Sequence, residues 1–234
     1  GNNTKMNPYD LYALETALRF KEVNGAHITV ITMGPPSSKA VLEEALWMGA
    51  DDAVLLTDRK FAGADVVATS YTLSSGIKTI GAFDLIICGK QTTDGDTAQV
   101  GPEIAECLHI PHISYVDKII KIKDEAVLVS VSMDKTTEQW EITYPGLITV
   151  DKGIFTPRLP SYKRSKQLKD EQIKVLTFAD FADQDESHYG LKGSPTQVER
   201  MFPPQKNTDK EVWTGTNQEL SQQLFQKMKD LKIL

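Results

Sequence analysis

Between Asn7 and His112 the hydrophobic period changes repeatedly, and that alternation restricts the fold more than any one residue does. Asn7-Pro8 opens a helical pattern. Asn is a good cap, and Pro at the first helical position lacks only a donor that would be unpaired anyway. Leu11, Leu14 and Leu18 share one face with Ala17 beside them, and Gly25 ends the pattern. His27 to Met33 (HITVITM) is β-branched and reads as a strand. Gly34-Pro35-Pro36-Ser37 is a turn, and Ser37 or Ser38 stands where the next helix needs a cap. That helix carries Val41, Ala45 and Met48 and ends at Gly49. Ala53 to Leu56 reads as a strand, Ala64 to Ile77 as a helix and Phe83 to Cys88 as a strand. Val100, Ile104 and Leu108 then recur every four residues. Strands separated by helices imply right-handed parallel crossovers. The expected fold class is α/β, an open parallel sheet with helices on both faces.

Past His112 the pattern shifts. Ile119 to Ile122 and Ala126 to Met133 read as a hairpin turning near Lys123-Asp124-Glu125. Trp140 to Tyr144 alternates, and Gly146 to Val150 is a further strand, so the whole stretch reads as an antiparallel addition. From Phe155 the chain turns proline-rich and basic through Pro157, Arg158, Leu159, Pro160, Tyr162, Lys163 and Arg164. Ile173 to Phe178 is one more short strand. Residues 184–213 lack periodicity, and Asn217 to Lys232 is an amphipathic helix with Leu220, Leu224, Met228 and Leu231 on one face. So long an irregular stretch is unusual inside a compact domain. The expected division is an α/β domain over 1–183 and an arm over 184–234 that lies on another surface. The alternative is a loose tail with a fraying helix.

The stretch Gly89 to Glu103, GKQTTDGDTAQVGPE, joins an apolar strand to a helix start through a polar loop. N–H groups of a first helical turn have no internal partners and face whatever sits off the strand's carboxyl end, the usual place for phosphate. Asp94-Gly95-Asp96-Thr97 supplies a turn, a cap and a hydroxyl. Gln91 and Gln99 are neutral donors, and Lys90 sits where it can meet a phosphate charge. Gly89, Thr92, Thr93, Ala98 and Val100 complete the candidate set. No Gly-Lys-Ser/Thr closes the loop, and it is not G-x-G-x-x-G. A phosphate held by N–H groups and hydroxyls without metal suits a dinucleotide or mononucleotide. Asn7-Pro8-Tyr9-Asp10 and the turn after Met33 should reach the same sheet edge, and convergence of such segments marks nucleotide sites. The plain alternative is a βα turn that binds nothing, since Asp, Gly and Thr are common in turns. Turn chemistry likewise explains Asp94 and Asp96 without an acid and base pair. No catalytic residue and no metal site is identified.

Composition narrows the classes further. The net charge is −6, which argues against nucleic acid as main ligand. No apolar run approaches the roughly 18 residues a membrane span needs. Cys88 and Cys107 are isolated and read as small buried thiols in a reducing compartment, which makes the expected location cytoplasmic. His109 and His112 flank Pro111 in a turn rather than forming a zinc pattern.

Asn7-Pro8-Tyr9-Asp10 with Ala13-Leu14-Glu15, Met33-Gly34-Pro35-Pro36, Ala45 through Asp51 and Gly89 through Gly101 together resemble, in order and spacing, the β subunit of electron-transferring flavoproteins. The resemblance runs over essentially the whole chain. It implies a Rossmann-like sheet with antiparallel additions and an extended C-terminal arm ending in a helix. It also implies FAD, or AMP in the non-bifurcating branch, held at Asn7–Asp10, Met33 and Gly89–Val100. Asp94 through Pro102 and Gly190 through Thr196 are more similar to the electron-bifurcating branch. That branch takes electrons from NADH and divides them between an acyl-CoA dehydrogenase-type enzyme and ferredoxin or flavodoxin, in complex with an α subunit. By the same resemblance Leu159, with Pro160 and Tyr162, would meet the dehydrogenase. In the residues themselves this is one leucine among cations in a Pro-rich loop, an exposed contact or a solvated linker. The family has a strand and loop before Asn7-Pro8 that the sequence shown lacks, which leads us to expect it to be incomplete at its start. Met133 to Pro145 matches only loosely. A plain electron carrier with structural AMP and a non-redox adenine-nucleotide-binding regulatory module are the rival functions.

Overall fold

The computed structural model describes residues 5–167, 173–200, 202–203 and 210–233. Contacts divide the chain into one unit over 1–197 and another over 198–234. The first unit begins with α1 (Pro8–Asn24), with Pro8 in its first turn and a left-handed Gly25 closing it. Strand β1 (Thr29–Met33), helix α2 (Lys39–Met48), strand β2 (Asp52–Leu56), helix α3 (Val66–Ile80), strand β3 (Leu85–Gly89) and helix α4 (Val100–Leu108) follow in the expected alternation. Ser38 precedes α2 but makes no cap with its side chain. A 3-10 turn over Pro36–Ser38 feeds the helix, so Ser38 is already right-handed rather than extended as a capping residue must be.

The remaining strands are β4 (His112–Ile122), β5 (Ala126–Ser132), β6 (Thr137–Thr143) and β7 (Gly146–Val150), then the short helix α5 (Tyr162–Gln167) and β8 (Ile173–Leu176). The β4–β5–β6 meander is antiparallel as expected. Strand β7 is a correction to the sequence reading. It runs parallel to both β3 and β4 in the middle of its sheet, and every one of its residues is buried. Its continuous apolar run marks a strand covered on both faces, whereas an antiparallel edge addition should alternate.

Hydrogen bonding arranges the strands as two sheets, β1-β2-β8, all parallel, and β3-β7-β4-β5-β6, mixed. Among the described residues, strands β1 and β3 are each paired along one side only. Helix α1 serves both sheets. Leu14 and Leu18 pack with Ala53 and Leu55 of β2, while Ala13 and Phe20 pack with the core of the second sheet. Helices α3 and α4 cover the opposite face, where Ile77, Ile104 and Leu147 meet Ile31. Helices therefore lie on both faces, and the parallel strands end at one edge.

Residues 184–197, which the sequence groups with the arm, make their contacts inside the first unit. Tyr189 is buried against Phe61, Phe178, Phe181 and Tyr71. Asp183 accepts from the Tyr71 hydroxyl at 2.6 Å and meets His188 Nδ1 at 2.6 Å. Gly190 must be glycine, because with φ 54° an added Cβ would stand 2.1 Å from the Lys60 carbonyl. In the second unit α6 (Asn217–Asp230) starts with a capping box between Thr216 and Glu219, and Leu224, Phe225 and Leu231 are exposed. Among the described residues no helix is long and apolar enough to cross a membrane.

Candidate functional site

The carboxyl ends of β3 and β7 and the first turn of α1 meet directly. Gly89 ends β3 and donates its N–H to Asp10 Oδ1 at 3.1 Å. A Cβ there would lie 2.6 Å from both that oxygen and the Tyr9 carbonyl carbon, so only glycine lets β3 press this closely on α1. Asn7 Nδ2 donates to the Gln91 carbonyl at 2.8 Å and to Asp10 Oδ2 at 3.0 Å. These two acceptors fix the amide's orientation and leave Asn7 Oδ1 buried without a partner among the described residues. Protein crowds the Asp10 carboxyl on one side while the residue stays open to solvent on another. Desolvation raises its pKa, against the hydrogen bonds from Asn7 and Gly89. Next to it, desolvation first and the Asp10 charge second push the enclosed Cys88 thiol up to about 12, so it stays protonated and inert at neutral pH.

The loop after Gly89 is turned by its own polar groups. Gly95 N–H donates to Asp94 Oδ1 at 2.8 Å and to Thr92 Oγ1 at 3.3 Å, and Asp96 N–H donates to the Thr92 carbonyl at 3.2 Å. The hydrogen bond from Thr92, then that of the Gly95 N–H, holds the Asp94 pKa below the ordinary value. The Gln91 amide donates to Asp96 Oδ1. Asp96 and Ala98 have φ of 53° and 56°. Asp tolerates that region; for Ala it costs about 1–2 kcal/mol. Gln99, next in line, is right-handed. This alternation aims successive N–H groups to one side, as in an anion-binding nest. Among the described residues the N–H groups of Thr97, Ala98, Gln99, Val100 and Gly101 have no hydrogen-bond partner, and Thr97 is exposed. Gly101 seats α4 against β7, since a Cβ would lie 2.5 Å from Thr149 Cγ2.

Other candidates fall differently. Lys90 Nζ pairs with Asp151 Oδ2 at 3.1 Å and lies 5.1 Å over the Tyr115 ring, so its charge is engaged beside the loop. Tyr115 sits at a bulge of β4 with φ 62°. Pro8 and Tyr9 belong to the α1 turn, and Thr93 lies on the exposed tip. Met33 ends β1 in the other sheet and pairs with Leu56. The periodicity reading missed Asp151 and Tyr115. Had Gly146–Val150 been read as a covered parallel strand, the residue after its end would have signalled the first.

A second surface stands apart from the loop. Leu159 is 88% exposed and Tyr162 77% exposed, with Pro160 exposed between them. The arginines flanking them are half-buried and hydrogen-bonded to the protein rather than fully solvated. Arg158 makes two side-chain hydrogen bonds to Glu15, at 2.8 and 2.9 Å. Arg164 donates to the carbonyls of Leu46 and Ala50 at the end of α2, both at 2.9 Å.

The electron transfer flavoprotein domain pattern matches residues 1–180. The β subunit of electron transfer flavoprotein from Clostridium acetobutylicum is 43% identical over 225 residues, covering 96% of this chain and 86% of that protein. The chain belongs to the electron transfer flavoprotein β-subunit family. The β subunit from Thermoanaerobacterium thermosaccharolyticum is 42% identical over 230 residues, 98% of this chain and 87% of that one. Subunit CarD of the caffeyl-CoA reductase-Etf complex of Acetobacterium woodii is also 42% identical, over 231 residues and the same shares. The family places this chain in electron transport within a flavoprotein complex that includes an α subunit.

Proposed function

We propose that this β subunit holds FAD at the loop between β3 and α4 and serves a bifurcating complex. Such a complex takes electrons from NADH and passes them to an acyl-CoA dehydrogenase-type enzyme and to ferredoxin or flavodoxin. The observation that carries the cofactor reading is the run of unpaired N–H groups from Thr97 to Gly101 at the entrance of α4. Such donors suit a phosphate, which a nucleotide supplies. Bound flavin supplies hydride and one-electron chemistry; this chain supplies placement and charge. Thr97–Gly101 and the Thr97 hydroxyl would hold phosphate, Asn7 would orient the nucleotide, and Lys90 would stay with Asp151. The similarity to a subunit of a caffeyl-CoA reductase-Etf complex supports a CoA-ester dehydrogenase as partner. It would dock at Leu159, Pro160 and Tyr162. The exposed Leu224, Phe225 and Leu231 of the second unit would pack on the α subunit.

Flavin and nucleotide content of the purified α/β complex tests this reading. Two flavins per complex support it. One flavin with AMP assigns the chain to the plain carriers, and nucleotide without a redox role assigns it to a regulatory module. For the second unit, removal of residues 198–234 should weaken copurification with the α subunit. Undiminished copurification would detach the arm from that role.

A further inference from the structure

Glu15 is a carboxylate in the middle of α1 with no solvent exposure at all. A buried charge persists only if several partners satisfy it. Here the partners come from the exposed loop. Arg158 donates its backbone N–H to Glu15 Oε2 at 3.1 Å, its Nε to the same oxygen at 2.8 Å and its Nη2 to Oε1 at 2.9 Å. Arg19 adds a contact to Oε1 at 2.9 Å, and Arg158 also reaches Glu22 at 2.8 Å. Three hydrogen bonds from one residue, two of them a planar guanidinium fork, fix both the backbone and the side chain at position 158. On the far side of the loop Ser161 N–H donates to the Trp47 carbonyl at 3.1 Å, and Arg164 holds the end of α2. Leu159 and Pro160 lie between these two fixed points.

We infer that Glu15, acting through Arg158, is the positioning residue that presents Leu159 to the partner dehydrogenase. This rests on the proposed docking role of the Leu159 loop. A loop already ordered before docking does not lose conformational freedom when the partner arrives. The same helix that holds Arg158 carries Asp10 in its first turn, about 7.5 Å earlier along the axis at 1.5 Å per residue. The docking loop is thus registered to the candidate nucleotide site by one rigid element.

The test uses the complete α/β complex carrying Glu15→Gln, Arg158→Gln or Leu159→Ala. Steady-state transfer with the dehydrogenase, NADH reduction of an artificial dye and amide exchange over residues 156–164 are measured on each. Glu15→Gln should speed exchange at Arg158 and raise KM for the dehydrogenase about tenfold, the effect of roughly one rotamer-rich side chain ordered on docking. Dye reduction should hold. Faster exchange with unchanged KM overturns the inference, and so does equal loss in both assays, which would mean a fold or flavin defect. If Glu15→Gln gives no stable complex, the double variant Glu15→Gln with Arg158→Gln, which leaves no unpaired buried carboxylate, is judged by the same outcomes. Leu159→Ala separates the two levels. If it leaves KM unchanged, the docking reading fails and the inference with it. If it raises KM while the Glu15 and Arg158 variants do not, the inference alone fails.

Discussion

The candidate nucleotide loop and the proposed docking loop are both polar and partly exposed, yet they are built to opposite plans. The loop from Gly89 to Val100 is left open. Two non-glycine residues hold positive φ, and five consecutive N–H groups point away from any partner among the described residues. The loop from Pro157 to Arg164 is closed before anything meets it. Its two arginines are spent on Glu15 and on the end of α2, leaving Leu159, Pro160 and Tyr162 outside. Donors without a protein partner in an exposed loop remain open to water or a ligand. Satisfied charges cost nothing further on binding and hold an apolar contact in place. The difference is the one expected between a site completed by its ligand and a surface completed by its own fold.

Substitution at Gly89 should break the open loop most severely. Gly89→Ala forces a Cβ to within 2.8 Å of Asp10 N and closer still to Tyr9. Overpacking of this kind costs about 1–3 kcal/mol, and α1's first turn must move with it. Lower urea stability together with lost nucleotide is the expected result; a variant with full nucleotide content and an unchanged midpoint would remove the close approach from the argument. For the closed loop, Leu159→Ala should cost about 2 kcal/mol of docking, roughly thirtyfold in KM for the dehydrogenase. Dye reduction should be intact, and a variant equally impaired in both assays would place the damage elsewhere.

Thr97→Val sharpens the comparison at smaller scale. It removes one hydroxyl from the open loop and leaves the backbone donors, so FAD affinity should fall by about 0.5–1.5 kcal/mol. An unchanged dissociation constant would take Thr97 out of the site.

The smallest effect belongs to a third, pH-sensitive contact, where Asp183 joins Tyr71 and His188. Hydrogen bonds from Tyr71, Asp185 and His188 lower the Asp183 pKa from 3.8 to about 2. Its contribution is present above 3.8 and lost as pH falls through about 2. The Asp183 hydrogen bond raises His188 above 6.5, so that contribution is full below 6.5 and lost as pH rises through the folded-state value. The segment around Tyr189 should hold best between these limits, with losses of about a few tenths of a kcal/mol on the alkaline side, since the pair is partly solvated. Amide exchange at Tyr189 reports it. His188→Asn should flatten the alkaline limb, and an unaltered limb would assign the titration to another group.

Much of the fold was legible because its signals are local. Asn7-Pro8 and Gly25 bound α1, Gly49 ends α2, and the spacing of Val100, Ile104 and Leu108 describes α4. The loop at Gly89 was legible for the same reason, since strand, turn and helix start lie in one continuous stretch. The choice between a contact loop and a solvated linker stayed open because nothing near Arg158 in sequence announces its partner Glu15. The placement of β7 was missed because an apolar run does not say which strands will flank it.

The sequence by itself determined the kind and order of the alternating helices and strands as far as α4, though not every boundary, since β4 begins at His112 rather than near Ile119, and it determined which glycines turn the chain. These depend on backbone preference and on residues within a turn or two of one another. Only the tertiary structure decided that β7 lies between β3 and β4, that residues 184–197 return to their own domain, and that Lys90 serves Asp151. It also decided that the buried Glu15 is paired with the half-buried Arg158, 143 positions away. Such pairings are set by which surfaces exclude water together, and the chain's local order carries no record of that choice.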